Sequence, residues 1–235
     1  MRCVPDRTSS MRPLEMNLEQ HREPLVSAVP TWAVQLGSSA AVSDHPSVFE
    51  HVFSADVNVC VWNRQQDPVL TTYLREKITS TSWERRAHID VTTPRFDELL
   101  TGFEYDLGRV RWETELSTLV DLFATLTDSR TVGVRMTATH KSTCPRFHSD
   151  QVGLRLLCTW LGEGTEWMTE EDVIREPAEQ SASGPIRPGG VIQHMQPFAV
   201  GILKGDAWPG NQGRGALHRS PQPGEPRLFV SLDEL

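Results

Sequence analysis

Three residues with metal-ligand chemistry stand out in this chain: His148 and Asp150, separated by one residue, and His218 far downstream. Two histidines and one carboxylate form the facial triad that holds iron(II) and leaves coordination positions open for substrate and oxygen. Arg227 follows His218 by nine residues, and a guanidinium is a planar, permanently charged fork that suits a carboxylate. The set predicts a metal site with an anchor for a carboxylate cosubstrate.

The spacing supports this hypothesis, although each part has an ordinary alternative. On an extended strand, residues i and i+2 face the same way, so His148 and Asp150 can reach one metal. A short His-x-Asp motif is also typical of a surface histidine beside a hydrogen-bonding aspartate. His218 follows the glycine-rich stretch Gly210–Gly215, which would let the backbone pass close to a metal or form a plain surface turn. Arg227 could equally end a strand and point to water.

Further candidate ligands leave the identity of the metal open. Cys144 lies four residues before His148, and its thiolate would complete a four-ligand set that suits zinc at least as well as iron. Pro145 disfavours a helical arrangement of these two residues. Because cysteine is so often simply buried, a structural thiol is the alternative. His140 and His194 are additional candidates.

The patterning predicts helices first and short strands afterwards. Asp67 as N-cap and Pro68 at the first position open one helix. A stripe of leucine, valine and phenylalanine predicts a second helix over 113–127, and both helices are expected to cover the outside of a sheet. The predicted strands, from their alternation and glycine or proline boundaries, are 56–62, 131–139, 152–161, 165–168 (returning after the turn at 162–164), 198–203 and 227–233.

This order indicates a mainly β protein with flanking α-helices, a double-stranded β-helix (a jelly-roll or cupin-like barrel) supported by N-terminal helices. We expect residues 1–45 to be a poorly ordered extension and 46–235 a single domain. Within it, 46–130 would supply the helical support and 131–235 the metal-binding barrel core. The segment 181–190 is expected to be a flexible connection and a candidate lid.

Composition narrows the classes of function. A length of 235 residues fits one domain, and a formal net charge of −8 argues against a general nucleic-acid binder. Neither a secretory signal nor a stretch of roughly 20 apolar residues is visible, which predicts a cytoplasmic protein without a membrane span. The four cysteines lack C-x-x-C spacing, so neither a disulfide framework nor a zinc ribbon is indicated.

The order His-x-Asp, distal histidine and arginine resembles the iron(II)- and 2-oxoglutarate-dependent dioxygenases. Phe147, His148 and Asp150, with Arg155 at the head of the next strand, are similar to the prolyl-hydroxylase-like branch. The likeness covers roughly residues 131–235 and depends on few positions. It implies iron(II) and 2-oxoglutarate as cofactors, with Arg227 binding the latter.

A longer pattern runs through Cys144–Asp150, Gly164–Trp167, Lys204–Asn211 and His218–Pro221. It resembles an uncharacterised bacterial domain family of unknown function and covers most of the chain. Members of that family are often encoded near zinc-limitation genes and metal-chaperone GTPases. This resemblance implies a link to such a GTPase but names no reaction.

Three functions remain open from sequence. The first is a dioxygenase in which His148, Asp150 and His218 are the catalytic iron ligands and an unknown small molecule or protein side chain is hydroxylated. The second is a non-redox zinc-binding protein of metal homeostasis, in which Cys144 joins the ligands and Arg227 is structural. The third is a cupin-like small-molecule binder or isomerase, which a barrel alone cannot exclude. An open three-ligand site favours chemistry, whereas a closed four-ligand site favours storage or structure.

Overall fold

A large mixed β-sheet, a small second sheet and flanking helices make up the computed structural model, which describes residues 34–35, 37, 39–78, 82–175 and 185–235. In these residues the α-helices are α1 (Pro68–Lys77) and α2 (Leu107–Thr127), and short 3-10 helices span Pro46–Phe53 and Glu170–Asp172. The strands are β1 (Val34–Gln35), β2 (Ala40–Ser43), β3 (Val59–Trp62), β4 (Trp83–Asp90), β5 (Thr131–Thr139), β6 (Leu154–Leu161), β7 (Glu166–Trp167), β8 (Gln193–His194), β9 (Val200–Lys204), β10 (His218–Arg219) and β11 (Arg227–Glu234). No helix among the described residues is long and apolar enough to cross a membrane.

From β5 onward the chain alternates between two sheets. Strands β5, β11, β6 and β9 are neighbours, in that order, in the larger sheet of order β1-β2-β3-β9-β6-β11-β5-β4. The smaller sheet has the order β10-β7-β8, and an antiparallel bridge between His148 and His218 adds the segment before β6 to its β10 edge. Eight segments therefore wind as two antiparallel layers of four. This arrangement is the double-stranded β-helix, and the predicted fold class is confirmed.

The larger sheet separates two environments. Four alternate residues of β5 are buried in a core that this sheet shares with the helices; they are Val132, Val134, Met136 and Ala138. The residues between them, Arg135 among them, point to the space between the two sheets. That space has an apolar cluster of its own, which includes Leu157, Trp167, Met195 and Leu203. The helices cover one face of the larger sheet, as predicted, and the barrel interior lies on the other.

The helix α1 forms where the sequence predicts it. The Asp67 carboxylate accepts hydrogen bonds from the backbone N–H groups of Val69 (2.9 Å) and Leu70 (3.0 Å), which satisfies two donors that a helix start leaves unpaired. Pro68 occupies the first helical position.

The helix α2 begins at Leu107, six residues before the predicted start. Asp106 is its N-cap and accepts a hydrogen bond from the N–H of Arg109 at 2.9 Å. Leu107 and Val110 are exposed, so the first turns lack the apolar stripe that marks the rest of the helix. Gly108 packs so closely against α1 that a Cβ there would lie 2.2 Å from the ring of Tyr73.

Three further predictions need correction or lie outside the described residues. Residues 40–43, expected in the poorly ordered extension, form β2, which pairs in parallel with β3; four residues are too few for an alternating pattern to be read. Strand β7 does not return along β6 but pairs with β8 and β10 in the other sheet. Residues 1–33 of the expected extension and 181–184 of the candidate lid lie outside the described residues.

A buried ion pair joins α2 to the sheet. The guanidinium of Arg64 donates to both carboxylate oxygens of Glu115, with one bond of 3.1 Å, and its Nε donates to the carbonyl of Phe198 at 2.8 Å. The indole N–H of Trp160 donates to the same carboxylate at 3.1 Å. Because both charged side chains are only 12–14% exposed, removing one of them would leave the other without compensation.

We expect Glu115→Ala to lower the free energy of unfolding by about 3 kcal/mol or more, because a buried guanidinium and a buried indole N–H lose their acceptor. Urea denaturation followed by circular dichroism would measure the change. Arg111→Ala is the matched control, since its contact with Asp67 is 3.8 Å long and its side chain is 54% exposed; it should cost less than about 1 kcal/mol. Equal losses in both variants would contradict the buried ion pair.

Candidate metal centre

The structure brings His148, Asp150 and His218 together at one end of the barrel interior. Nε2 of His148 lies 3.7 Å from Oδ1 of Asp150, and Nε2 of His218 lies 3.2 Å from Oδ2. The two imidazole rings are 4.6 Å apart between centroids, and one ligand atom from each of the three residues lies within 4.8 Å of the others. The three side chains are thus close enough to bind a single ion.

Hydrogen bonds of the two imidazoles orient their lone pairs toward that point. Nδ1 of His148 lies 3.0 Å from the carbonyl of Arg146, and Nδ1 of His218 lies 3.0 Å from the carbonyl of Ala216. A carbonyl only accepts hydrogen bonds, so each Nδ1 carries a proton, and an Nε2 without a proton presents its lone pair to an ion. Metal-binding histidines are oriented by hydrogen bonds of this kind.

Asp150 supplies the third acceptor. Its Oδ2 is buried, and no donor in the described part of the chain bonds to it. A buried carboxylate oxygen is costly without a partner, and in the neutral tautomer with the proton on Nδ1 the neighbouring Nε2 of His218, 3.2 Å away, offers a lone pair and no proton. Three acceptors that converge without a donor fit a divalent cation, and the nitrogen and oxygen donors suit iron(II) or zinc.

Arg155, the second residue of β6, holds the other oxygen of Asp150. One terminal nitrogen lies 2.7 Å from Oδ1 of Asp150, and the remaining donors bond to both oxygens of Asp233 at 2.6 and 2.8 Å. Burial raises the pKa of Asp150, but a protonated His218, which would donate to the carboxylate, lowers the pKa to about 2 together with the charges of Arg155 and a protonated His148. With neutral histidines the charge of Arg155 still favours the ionised carboxylate, whose Oδ2 lies beside His218 and whose Oδ1 faces Arg155 and, at 3.7 Å, His148.

Arg227 is buried with only neutral partners. It is 7% exposed, and it donates to the carbonyl of Glu163 (2.9 Å) and to the hydroxyls of Thr159 (3.2 Å), Thr165 (3.2 Å) and Ser220 (3.4 Å). Burial lowers its pKa to about 10, which leaves it cationic at neutral pH. No carboxylate among the described residues forms an ion pair with it, although it lines the same cavity as His148 and His218.

Sequence reasoning missed the hydroxyls around Arg227. Thr159 lies on β6 in the alternation phase that points into the barrel, and that phase was readable from the sequence. Thr165 and Ser220 fall within the motif segments Gly164–Trp167 and His218–Pro221, but neither lies in a regular strand, so the sequence did not indicate that they face Arg227.

The other candidate ligands do not join the three. Cys144 lines the cavity, yet the metal-capable group among the described residues does not include it. Its backbone is tied to Ser220, whose N–H donates to the Cys144 carbonyl at 2.9 Å. His140 is exposed at the wall of a neighbouring cavity, and His194 lies 3.8 Å from the carboxylate of Glu166 in the smaller sheet.

We expect Arg155→Gln to weaken divalent metal binding by about 10- to 100-fold, because the ligand carboxylate loses the partner that orients it. Competition with a chromophoric chelator would measure the affinity. Arg86→Gln removes an equal charge from an exposed residue that pairs with Glu84, and its metal affinity should match the unmodified protein. Equal affinities in all three proteins would show that Arg155 does not position Asp150.

Cys144→Ala tests whether the site has three ligands or four. A three-ligand site predicts a change of less than about 3-fold in iron(II) or zinc affinity, whereas His218→Ala should lose about 100-fold or more because a direct ligand is gone. The same chelator competition applies to both variants. A loss in Cys144→Ala as large as that in His218→Ala would restore the four-ligand zinc site.

Several solved structures are similar to this chain at low identity. A full-length Neurospora crassa protein in complex with alpha-KG has a TM-score of 0.42 and 12% identity over 80% of this chain and 76% of its own. A dioxygenase for auxin oxidation from rice has a TM-score of 0.42 and 12% identity, over 74% and 73%. A bsmA homolog from Methylobium petroleophilum PM1 also has 0.42 and 12%, over 80% and 91%. At this level of likeness no activity is carried over, and the site's own geometry must support any function.

Sequence comparison gives a family but no reaction. No curated protein matches the chain. The family model described as protein of unknown function (DUF1826) matches residues 43–233, a span that includes strands β3 to β10, most of β11 and all the residues of the candidate centre. Since this span is most of the 235 residues, the chain belongs to the DUF1826 family.

Proposed function

We propose that this protein is a non-haem iron(II)- and 2-oxoglutarate-dependent dioxygenase that hydroxylates a C–H bond of its substrate. The observation that carries the proposal is Arg227, a buried guanidinium without an acidic partner in the described chain, which lines the same cavity as two converging histidines. An uncompensated buried cation favours an anionic ligand. A dicarboxylate could bind Arg227 at one end and the metal at the other.

The donor set is consistent with such a cosubstrate. His148, His218 and Asp150 would hold iron(II) as two histidines and one carboxylate, a ligand set that leaves positions open for a bidentate ligand and oxygen. Bound iron(II) would supply oxidising chemistry, in which one atom of O₂ becomes a substrate hydroxyl while the other enters succinate, formed from 2-oxoglutarate with release of CO₂.

The side chains of the barrel would bind and orient the reactants. Arg227 would hold the distal carboxylate of 2-oxoglutarate through its charge and through the one N–H that Glu163, Thr159, Thr165 and Ser220 leave free. Asp150, held by Arg155, would keep its second oxygen directed at the ion. The apolar cluster between the sheets would keep water from the reacting groups.

The zinc-homeostasis alternative has less support. It needs Cys144 as a fourth ligand and a structural Arg227, yet the metal-capable group among the described residues lacks that cysteine. A structural role would also leave Arg227 as a buried cation held by neutral groups alone. The link to a metal-chaperone GTPase and the cytoplasmic location stay predictions from sequence.

Anaerobic titration of the metal-free protein with iron(II) and then 2-oxoglutarate tests the proposal. We expect a visible charge-transfer absorption band, because the cosubstrate chelates the iron, and we expect its loss in His148→Ala. Arg227→Gln should bind iron(II) normally but raise the Kd for 2-oxoglutarate by about 30-fold or more, as loss of a buried charge pair costs about 2 kcal/mol or more.

Two outcomes would contradict the dioxygenase. Absence of the band, with zinc displacing iron and 2-oxoglutarate failing to bind either form, would move the assignment to the zinc-binding alternative. Unchanged 2-oxoglutarate affinity in Arg227→Gln would remove the observation on which the proposal depends. Arg86→Gln again serves as the control for loss of a positive charge.

A further inference from the structure

A second arginine, Arg135, faces the metal cavity without an acidic partner. It lies on the inward-pointing side of β5, is half-buried, and lines the cavity together with His148 and His218. Its Nε donates to the hydroxyl of Ser231 at 3.2 Å. The two terminal nitrogens bond to no group in the described chain, so both remain available to a ligand.

The arginines of the cavity wall are of two kinds, those with an acidic partner and those without one in the described residues. Arg155 is bound to two aspartates, and Arg219 is paired with Glu166. Arg227 and Arg135 have only neutral partners in the described residues. The cavity therefore has two guanidinium groups whose charge no described residue balances.

If the proposed function holds, one molecule of 2-oxoglutarate does not neutralise the charges of both Arg227 and Arg135. In the loaded site, Asp150 and Asp233 neutralise Arg155 and one charge of iron(II). The two carboxylates of 2-oxoglutarate neutralise the other charge of the ion and Arg227. Arg135 remains as one positive charge next to the metal, and a partly buried cation of this kind favours a further anion.

The strand register gives Arg135 a position different from that of Arg227. Arg135 is opposite Ser231, four residues along β11 from Arg227, which is roughly 13 Å of strand. Arg155, which holds the metal-ligating carboxylate, is opposite Asp233, two residues further along. Arg135 therefore lies at the metal end of the cavity, where the substrate must present its C–H bond, and Arg227 marks the other end.

We infer that the substrate carries an anionic group, a carboxylate or a phosphate, that binds Arg135 while the adjacent C–H bond faces the metal. A guanidinium with both terminal nitrogens available matches either group in a bidentate geometry. Arg135 is half-buried, and its strand β5 is next to the edge strand β4 in the larger sheet.

The test uses sulfate and acetate as probes of the iron(II)-loaded protein saturated with 2-oxoglutarate, under anaerobic conditions and at constant ionic strength. Calorimetry and the change in the visible band would give the Kd of each anion. We expect Arg135→Gln to raise that Kd about 10-fold or more, with Arg135→Lys intermediate because a lysine keeps the charge without the fork. Arg95→Gln is the control, since Arg95 is 82% exposed and paired with Asp97, and it should bind as the unmodified protein does.

The outcomes distinguish the source of the anion. Tighter binding of acetate points to a carboxylate substrate and tighter binding of sulfate to a phosphorylated one; both support the inference if they depend on Arg135. Failure of both anions to bind the unmodified complex, or equal binding by Arg135→Gln, would overturn it.

Failure of this inference and failure of the proposed function give different results. The Kd of 2-oxoglutarate in Arg135→Gln should stay within about 3-fold of the unmodified value; a loss as large as in Arg227→Gln would place Arg135 in the cosubstrate site and overturn the inference alone. If 2-oxoglutarate binds no form of the protein, the dioxygenase proposal fails. Sulfate binding to the metal-loaded Arg227→Gln protein, with and without Arg135, would then still decide the anion site.

Discussion

The antiparallel bridge between His148 and His218 is the contact on which the rest of the site depends. Its two backbone hydrogen bonds, of 3.1 and 3.0 Å, join segments separated by seventy residues and make both side chains emerge on the same side. In each segment the ring then donates from Nδ1 to the carbonyl two residues earlier. The bridge thus positions both imidazoles and favours the tautomer with the proton on Nδ1, and Asp150 completes the set of three candidate ligands.

Charge compensation divides the arginines of the barrel by role. The larger sheet supplies them from three neighbouring strands, β5, β6 and β11, so that their side chains meet in one cavity. Arg155 is neutralised by two aspartates and therefore orients a ligand without attracting one. Arg227 and Arg135 have no acidic partner in the part of the chain that the structure describes, and a low-dielectric interior strengthens the attraction of such groups for an anion. This difference follows from the strand register, which places Asp233 opposite Arg155 but Ser231 opposite Arg135.

Much of this arrangement was predictable from sequence, and the parts that were not have physical reasons. The order His148, Asp150, His218 and Arg227 was enough to predict a common site, and the alternation after Thr131 was enough to predict strands. An alternating pattern indicates that polar residues lie on one face of a strand, but it does not indicate whether that face is exposed to solvent or lines a barrel interior. Arg135 was therefore indistinguishable from a surface arginine. The pairing of β7 with the second sheet likewise depends on distant partners that a local pattern does not contain.

The contrast between the whole chain and its cavity limits what can bind there. A net charge of −8 repels polyanions at long range, which is consistent with the absence of any basic run for nucleic acid. At short range, two guanidiniums of the cavity wall have no acidic partner among the described residues. Screening limits the field of the acidic surface to about 8–10 Å at physiological salt. Under the proposed function, small anions would therefore be favoured over polyanions because of the position of two arginines and not because of the overall charge.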